Sequence, residues 1–218
     1  MSRRSRQRSR AGSTPTNWSP WWWGPAVLAK QASPKRAHGV PNRVRIIGGQ
    51  YRRRLLDFPG TTGLRPTPDR VRETLFNWLG QDLPGWTCLD LFAGSGALGF
   101  EAASRGAARV ILIERDAQAS RALDKNAAAL GATAVEVLRV DALAWLGSIQ
   151  DTFDLIFVDP PFDSGLAETV LAQLTPRLKP GGQVYVEQGT AVVAPPGLIM
   201  HRSGRAGRSH FALLIKDE

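Results

Sequence analysis

Hydrophobic positions along this chain change their period several times, and each change marks a predicted element. From residue 87 onward, short apolar runs alternate with segments whose apolar residues recur every three or four positions. The runs at 88–92, 110–114, 135–140, 155–158 and 184–187 read as strands, with helices at 98–105, 117–130, 142–149 and 166–178 between them. Gly131 sits where a helix stop is expected. Strands alternating with helices predict a parallel sheet covered on both faces. The last two apolar runs, 198–202 and 209–215, flank Gly204-Arg205-Ala206-Gly207 and predict an antiparallel hairpin. The expected core is therefore α/β, a mostly parallel seven-stranded sheet ending in an antiparallel hairpin. That ending sets it apart from a plain dinucleotide fold.

Upstream, residues 44–47 and 54–58 are extended segments around Gly48-Gly49, which together predict a β-hairpin. Arg45, Arg52, Arg53 and Arg54 load it with positive charge. Thr67-Pro68-Asp69 then predicts a helix start: Thr67 as N-cap, Pro68 at the first helical position and Asp69 complementing the dipole. Val71, Leu75, Phe76 and Leu79 keep helical spacing until Gly80. Residues 1–42 are different in kind, Arg/Ser-rich and then Trp- and Pro-rich, and too poor in aliphatics to pack. The expected organisation is a tail over 1–42 and one domain over 43–218, with the hairpin and first helix in 43–80 and the core in 81–218. The tail reads as an electrostatic arm whose tryptophans stack on bases, or as a solvated segment with no specific role. A third reading places the natural start near Val44.

Composition sharpens this picture mainly through its distribution. The formal net charge is +9, yet residues 1–54 hold 13 Lys and Arg with no acid, and the rest holds 15 basic against 19 acidic residues. The basic character belongs to the N-terminal segment, and the body is mildly acidic. One cysteine, Cys88, excludes an internal disulfide and fits a small buried strand residue in a reducing cytosol. The three histidines have no partners at metal-ligand spacing, so no metal site is expected. No apolar run reaches membrane-spanning length. Ser2-Arg3-Arg4 followed by Trp21-Trp22-Trp23 imitates an export signal, but Pro15, Pro20 and Pro25 break its apolar core.

Candidate chemistry lies at the strand ends, where open α/β sheets bind ligands. Asp90, Glu114, Asp141 and Asp159 all fall at or beside such ends. Singly each reads as a cap or turn residue; jointly they predict a polar ligand site. Asp90-Leu91-Phe92-Ala93-Gly94-Ser95-Gly96 joins the first core strand to its helix, and Gly94 and Gly96 permit a tight turn against a ligand. Residues 94–99 match the dinucleotide fingerprint, which by itself does not choose between NAD and S-adenosylmethionine. Asp90 tilts the choice, because its carboxylate suits the ammonium end of a methionine and repels a pyrophosphate.

Phe153 to Val158 runs straight into Asp159-Pro160-Pro161-Phe162. An amine attached to an aromatic ring is a poor nucleophile, because its lone pair is delocalised. A carboxylate and a backbone carbonyl that each accept one N–H draw the nitrogen toward tetrahedral geometry. Paired prolines hold such acceptors rigidly, and Phe162 can stack on a base. This loop predicts methyl transfer from S-adenosylmethionine to a planar amine, with Asp159 first an orienter and second a general base. The loop alone leaves base, nucleic-acid and protein-amide substrates open.

From Arg45 onward the chain resembles the RsmD family of 16S ribosomal RNA guanine-N2 methyltransferases. The resemblance is carried by Arg45-Ile46-Ile47-Gly48-Gly49, by Gly63-Leu64-Arg65-Pro66-Thr67 with residues 69–77, by 89–99, by Ile113-Glu114 and by 157–162. It implies a Rossmann-like class I methyltransferase fold acting on one guanine during small-subunit assembly. Asp90, Phe92, Gly94 and Gly96 would hold the methionine end of S-adenosylmethionine, Glu114 its ribose and Asp141 its adenine. Asp159, Pro160, Pro161 and Phe162 would hold the guanine, while Arg45, Arg52, Arg53, Arg65, Arg70 and Arg72 would face the RNA. A cytoplasmic monomer acting on 16S rRNA within a partly or fully assembled small subunit is expected. The competing expectations are DNA adenine-N6 or cytosine-N4 methylation and a non-catalytic RNA-binding assembly factor.

Overall fold

A computed structural model describes residues 42–60, 66–161 and 164–217. Arg65, Phe162 and nearly all of the predicted tail lie outside the described residues. Alternating apolar runs become β3 (Thr87–Asp90), β4 (Arg109–Ile113), β5 (Val135–Leu138), β6 (Phe153–Val158) and β7 (Leu178–Gln188). They are preceded by a β1–β2 ribbon (Asn42–Arg45 and Leu55–Phe58) and followed by β8 (Leu198–Ala206) and β9 (Ser209–Lys216). The sheet order is β5-β4-β3-β6-β7-β9-β8. Pairings are parallel from β5 through β7 and antiparallel for β8–β9, as the sequence pattern predicts, while the antiparallel pairing of β7 with β9 is not specified by it. Strand order reverses at β3, which has β4 on one side and β6 on the other. Chains leaving β3 and β6 therefore diverge and open a crevice at their C-terminal ends.

Helices α1 (Asp69–Trp78), α2 (Ala97–Ser104), α3 (Ala117–Leu130), α4 (Ala142–Ser148) and α5 (Leu166–Leu171) fill the gaps. Helix α3 runs from the Asp116 side-chain cap to left-handed Gly131, so local signals suffice to bound it. Helix α5 stops well short of the expected 166–178. A 3-10 turn at Thr175–Arg177 follows it, because Pro176 has no N–H to donate to the preceding turn, and β7 begins at Leu178. Thr67 does not cap α1: Pro68 occupies that position and no side chain caps the helix. Cys88 lies buried in β3, where desolvation first and the charge of Asp154 second raise its thiol well above the usual range. It is a packing residue.

Two apolar layers sandwich the sheet. One contains Leu155, Phe157, Tyr185 and Phe211 beneath the β1–β2 ribbon, α1, α2 and α3; the other contains Ile156, Val158, Val184 and Val186. The ribbon is fastened at both ends. Asn126 of α3 accepts from the Asp57 N–H and donates to its carbonyl. At the other end Gly49, at φ 71°, brings the turn so close to α2 that an added Cβ would lie 1.8 Å from the Ser104 carbonyl oxygen.

Beneath that turn sits Glu101 of α2, with no exposed side-chain surface. Its carboxylate accepts from the Ile47 and Gly48 N–H groups at 2.8 and 2.7 Å, and pairs with the guanidinium groups of Arg72 and Arg105 at 3.4 and 2.9 Å. Removing one partner of such a group strands the others in an apolar interior. Glu101→Ala is expected to lower the unfolding free energy by about 3–5 kcal/mol, read from urea denaturation. A loss below ~1 kcal/mol would mean that water replaces the carboxylate around both arginines.

Candidate active site

The four strand-end acids stand on four adjacent strands. In sheet order they are Asp141 after β5, Glu114 after β4, Asp90 ending β3 and Asp159 after β6. Asp90 is level with Leu112 of β4 and Phe157 of β6, so it faces the layer under α1 and α2. Asp159, two positions beyond Phe157, continues that face.

Asp90 is 1% exposed. Its Oδ2 accepts from the Gly99 N–H at 3.2 Å, while the buried Oδ1 has no partner among the described residues. Burial pushes the carboxyl up to about 7, opposed by the N–H groups of Phe92 and Gly99 and aided by the charge of Glu114. Gly96 starts α2 at φ 77°, and a Cβ there would lie within 2.8 Å of the Leu123 and Phe100 side chains. That conformation turns the chain sharply over the end of β3. Gly94 donates its N–H to Glu114 Oε2 at 3.0 Å, and Asp116 donates to Oε1 at 2.7 Å. Glu114 thus ties the Gly loop to the end of β4. Asp141 is exposed and caps α4 through Oδ1, accepting from Leu143 and Ala144 at 3.1 Å. Phe92 is half-buried against the opposite apolar layer.

Asp159 sits where β6 ends. Its Oδ2 accepts from the Thr67 hydroxyl at 2.9 Å, and Pro160 beyond it is buried while Pro161 is exposed. Burial above all, then the negative charges of Glu187 and Asp90, raise its carboxyl well above the ordinary value, with the Thr67 hydroxyl acting the other way. Two carboxyls of raised pKa on adjacent strands, beside a glycine turn, are an arrangement of functional sites. They can hold a cationic group and accept N–H donors.

A sequence model of the family described as Conserved hypothetical protein 95 matches residues 44–215. Ribosomal RNA small subunit methyltransferase D of Escherichia coli K12 is 43% identical over 188 residues, 84% of this chain and 95% of that protein. Its Haemophilus influenzae namesake is 45% identical over 150 residues, 66% of this chain and 78% of that protein. The chain belongs to the RsmD family. Among solved structures, yhhF of Escherichia coli aligns with a TM-score of 0.74 at 43% identity, covering 81% of this chain and 99% of that one. The Thermus thermophilus 16S rRNA N2 G1207 methyltransferase RsmC, solved with AdoMet and guanosine, has a TM-score of 0.62 at 23% identity. It covers 82% of this chain and 50% of its own, and shares the class I methyltransferase fold.

Within this RsmD chain the expected RNA-facing arginines divide. Arg52, Arg53 and Arg70 are exposed. Arg45 is exposed too, but reaches Asp69 at 2.7 Å. Arg72 does not face RNA. It is fully buried, donates Nε to the Thr67 carbonyl at 3.1 Å, and pairs with Asp69 and Glu101. Three further residues escaped the sequence reading: Thr67 as a partner of Asp159, Glu101, and Glu187 with its hydroxyl donors. Alternation along Val184-Tyr185-Val186-Glu187 was the available signal for the last, since it puts Glu187 on the face of Tyr185.

The Asp90 carboxyl makes a pH prediction. A carboxyl raised by folding keeps its proton in the native protein where the unfolded chain has lost it. Stability therefore falls as pH rises from the ordinary value of 3.8 to about 7. Asp90→Asn, which cannot ionise, is expected to raise the melting temperature relative to the parent more at pH ~8 than at pH ~5. Equal differences at both pH values would contradict the buried, titrating carboxyl.

Proposed function

We propose that this chain transfers a methyl group from S-adenosylmethionine to the exocyclic N2 amine of one guanine in 16S ribosomal RNA. Its setting would be the cytoplasm, on RNA within a partly or fully assembled small subunit. The observation that carries this reading is the placement of Asp159, bonded to Thr67, one strand away from Asp90 and the Gly94–Gly96 turn. The named relatives, ribosomal RNA small subunit methyltransferases matched over 95% and 78% of their length, support the choice of substrate.

The residues present fit the cofactor. Asp90 has a buried oxygen lacking a partner, the kind of group that an ammonium satisfies. Asp90 and the turn at Gly94 and Gly96 would hold the methionine end, with Phe92 alongside. Glu114 would accept the ribose hydroxyls, each of its oxygens having given one lone pair to a backbone N–H. Asp141 keeps Oδ2 for the adenine amine, its Oδ1 being engaged in capping. When bound, S-adenosylmethionine supplies an electrophilic methyl group on a sulfonium.

The remaining chemistry belongs to the chain. Asp159 accepts an N–H of the target amine through the oxygen that Thr67 leaves free, and the Pro160 carbonyl offers a second acceptor. Both draw hydrogens out of the plane of the base and leave the nitrogen lone pair localised. Thr67 fixes the carboxylate so that this geometry exists before the base arrives. The raised pKa of Asp159 makes it a competent acceptor for the proton that the methylated amine must lose. Pro160 and Pro161 stiffen the loop, and Phe162 provides a stacking surface for the base. Arg52, Arg53 and Arg70, with Arg45 and Arg65, would contact RNA phosphates.

Labelled methyl transfer to naked 16S rRNA, partly assembled small subunits, DNA and protein extract tests the assignment. Label is expected at guanine N2 of 16S rRNA, and label confined to DNA or protein would refute it. Asp159→Ala is expected to cut turnover by roughly 100-fold or more while leaving cofactor affinity within a few-fold. Thr67→Val removes the donor that lowers the Asp159 pKa, so the acidic limb of the rate profile is expected to move to higher pH. Replacing Arg52, Arg53 or Arg70 is expected to reduce the salt dependence of RNA binding by about one unit of slope each. An unchanged slope would remove that arginine from the interface.

A further inference from the structure

The row of strand-end carboxylates has one member that neither cofactor binding nor amine orientation uses. Strand β7 lies beside β6 in parallel, with Val158 level with Val186, so Asp159 and Glu187 follow their strands side by side. Tyr185, two positions before Glu187, lies in the same apolar layer as Phe157, two positions before Asp159. Both carboxylates thus rise from the same face, on backbones about 4.8 Å apart.

Glu187 is buried, and its orientation is fixed from both sides. Tyr185 donates its hydroxyl to Oε2 at 2.9 Å, and Ser209 at the start of β9 donates to Oε1. Burial, the charges of Glu187 and Asp159, and the bond to Glu187 hold the Tyr185 phenol well above its ordinary pKa, so it stays a donor. Each oxygen has accepted one hydrogen and can accept another. Among the described residues, the donors bonded to Glu187 and Asp159 are neutral hydroxyls, those of Tyr185, Ser209 and Thr67. Two carboxylates side by side, with no cation bonded to either among the described residues, are costly to ionise together unless a ligand brings donors to both. Asp90, one strand further along, has its own buried oxygen open.

We propose that Glu187 is the residue that selects guanine, accepting the N1–H of the base while Asp159 accepts an N2 hydrogen. This inference rests on the guanine-N2 reading of the site. The Watson–Crick edge of guanine offers N1–H and N2–H as adjacent donors. Adenine and cytosine each place a ring lone pair beside the exocyclic amine, and that lone pair would face the Glu187 carboxylate in repulsion. A site that hydrogen-bonds an N–H in this way rejects the analogue lacking it. Asp159 acts on the amine and Glu187 reads what stands next to it. Tyr185 and Ser209 are positioning residues for Glu187.

The test removes that N–H and asks whether Glu187 is what senses it. The modified guanine is located by mass spectrometry of methylated 16S rRNA, and the RNA is rebuilt by ligation with 2-aminopurine at that position. 2-Aminopurine keeps the 2-amino group but has a lone pair at N1 and a hydrogen in place of O6. It is therefore the change on going to Glu187→Gln that isolates the N1 contact. Single-turnover methyl transfer is then compared for the two RNAs, using the wild-type chain and Glu187→Gln. The wild type is expected to prefer guanine by on the order of 100-fold. Glu187→Gln, whose amide can donate to a ring lone pair, is expected to shrink that preference at least tenfold, roughly, chiefly by gaining on 2-aminopurine. Wild-type rates within threefold of each other, roughly, overturn the inference even if the variant does not fold, and so does a variant that slows both RNAs equally. A wild-type chain that methylates no guanine N2 in the natural RNA overturns the functional reading itself, which is a separate result.

Discussion

Glu101 is a carboxylate enclosed by the protein it organises. It accepts from the backbone of the ribbon turn at Ile47 and Gly48 and pairs with guanidinium groups from α1 and from the end of α2. Replacing such a cluster with apolar side chains need not cost stability, and its value lies in fixing one arrangement. Here the arrangement reaches the candidate site. Helix α2 carries Glu101 and begins at the glycine turn. Arg72, held by Glu101, holds the Thr67 carbonyl, and the Thr67 hydroxyl holds Asp159. A run of polar contacts thus leads from Glu101, on the helix that begins at the glycine turn, through Arg72 and Thr67 to Asp159.

Local chemistry explains what could be read from the chain. The alternation of strands and helices, the parallel core with its terminal hairpin, and both ends of α3 follow from periodicity and capping. The four acids were legible because strand ends are legible. Arg72 was not, since Asp69-Arg70-Val71-Arg72 looks like a charged helix face, and the partner that draws Arg72 inside lies 29 residues away. Thr67 failed for a related reason. Capping is a preference over three residues, and it yielded to a bond spanning 92. Glu101, in a segment that reads as a plain helix, and Glu187, at the end of an ordinary strand, acquire meaning only from what the tertiary fold brings against them.

Charge placement carries a similar lesson. The basic excess of the chain belongs to its N-terminal segment, whereas the rim of the sheet is acidic from Asp141 to Glu187. An acidic rim is an unpromising approach for a phosphate backbone but a fitting one for N–H groups and a cationic cofactor. On the proposed function, attraction to RNA and recognition of the base would fall to different parts of the molecule. Exposed arginines of the ribbon turn and α1 would supply the first, and the buried Glu187 with the half-buried Asp159 would supply the second.

The fastening of the β1–β2 ribbon also bears on how the protein reaches its native state. Its bonds to Glu101 and Asn126, and the Thr67 bond to Asp159, join positions 53, 69 and 92 residues apart. Contacts of such sequence separation close large loops and slow the folding of a domain. During synthesis the ribbon emerges before Glu101 and Asn126, the residues that fix it. Of these three, the bond that holds Asp159 closes the largest loop and carries the largest closure entropy.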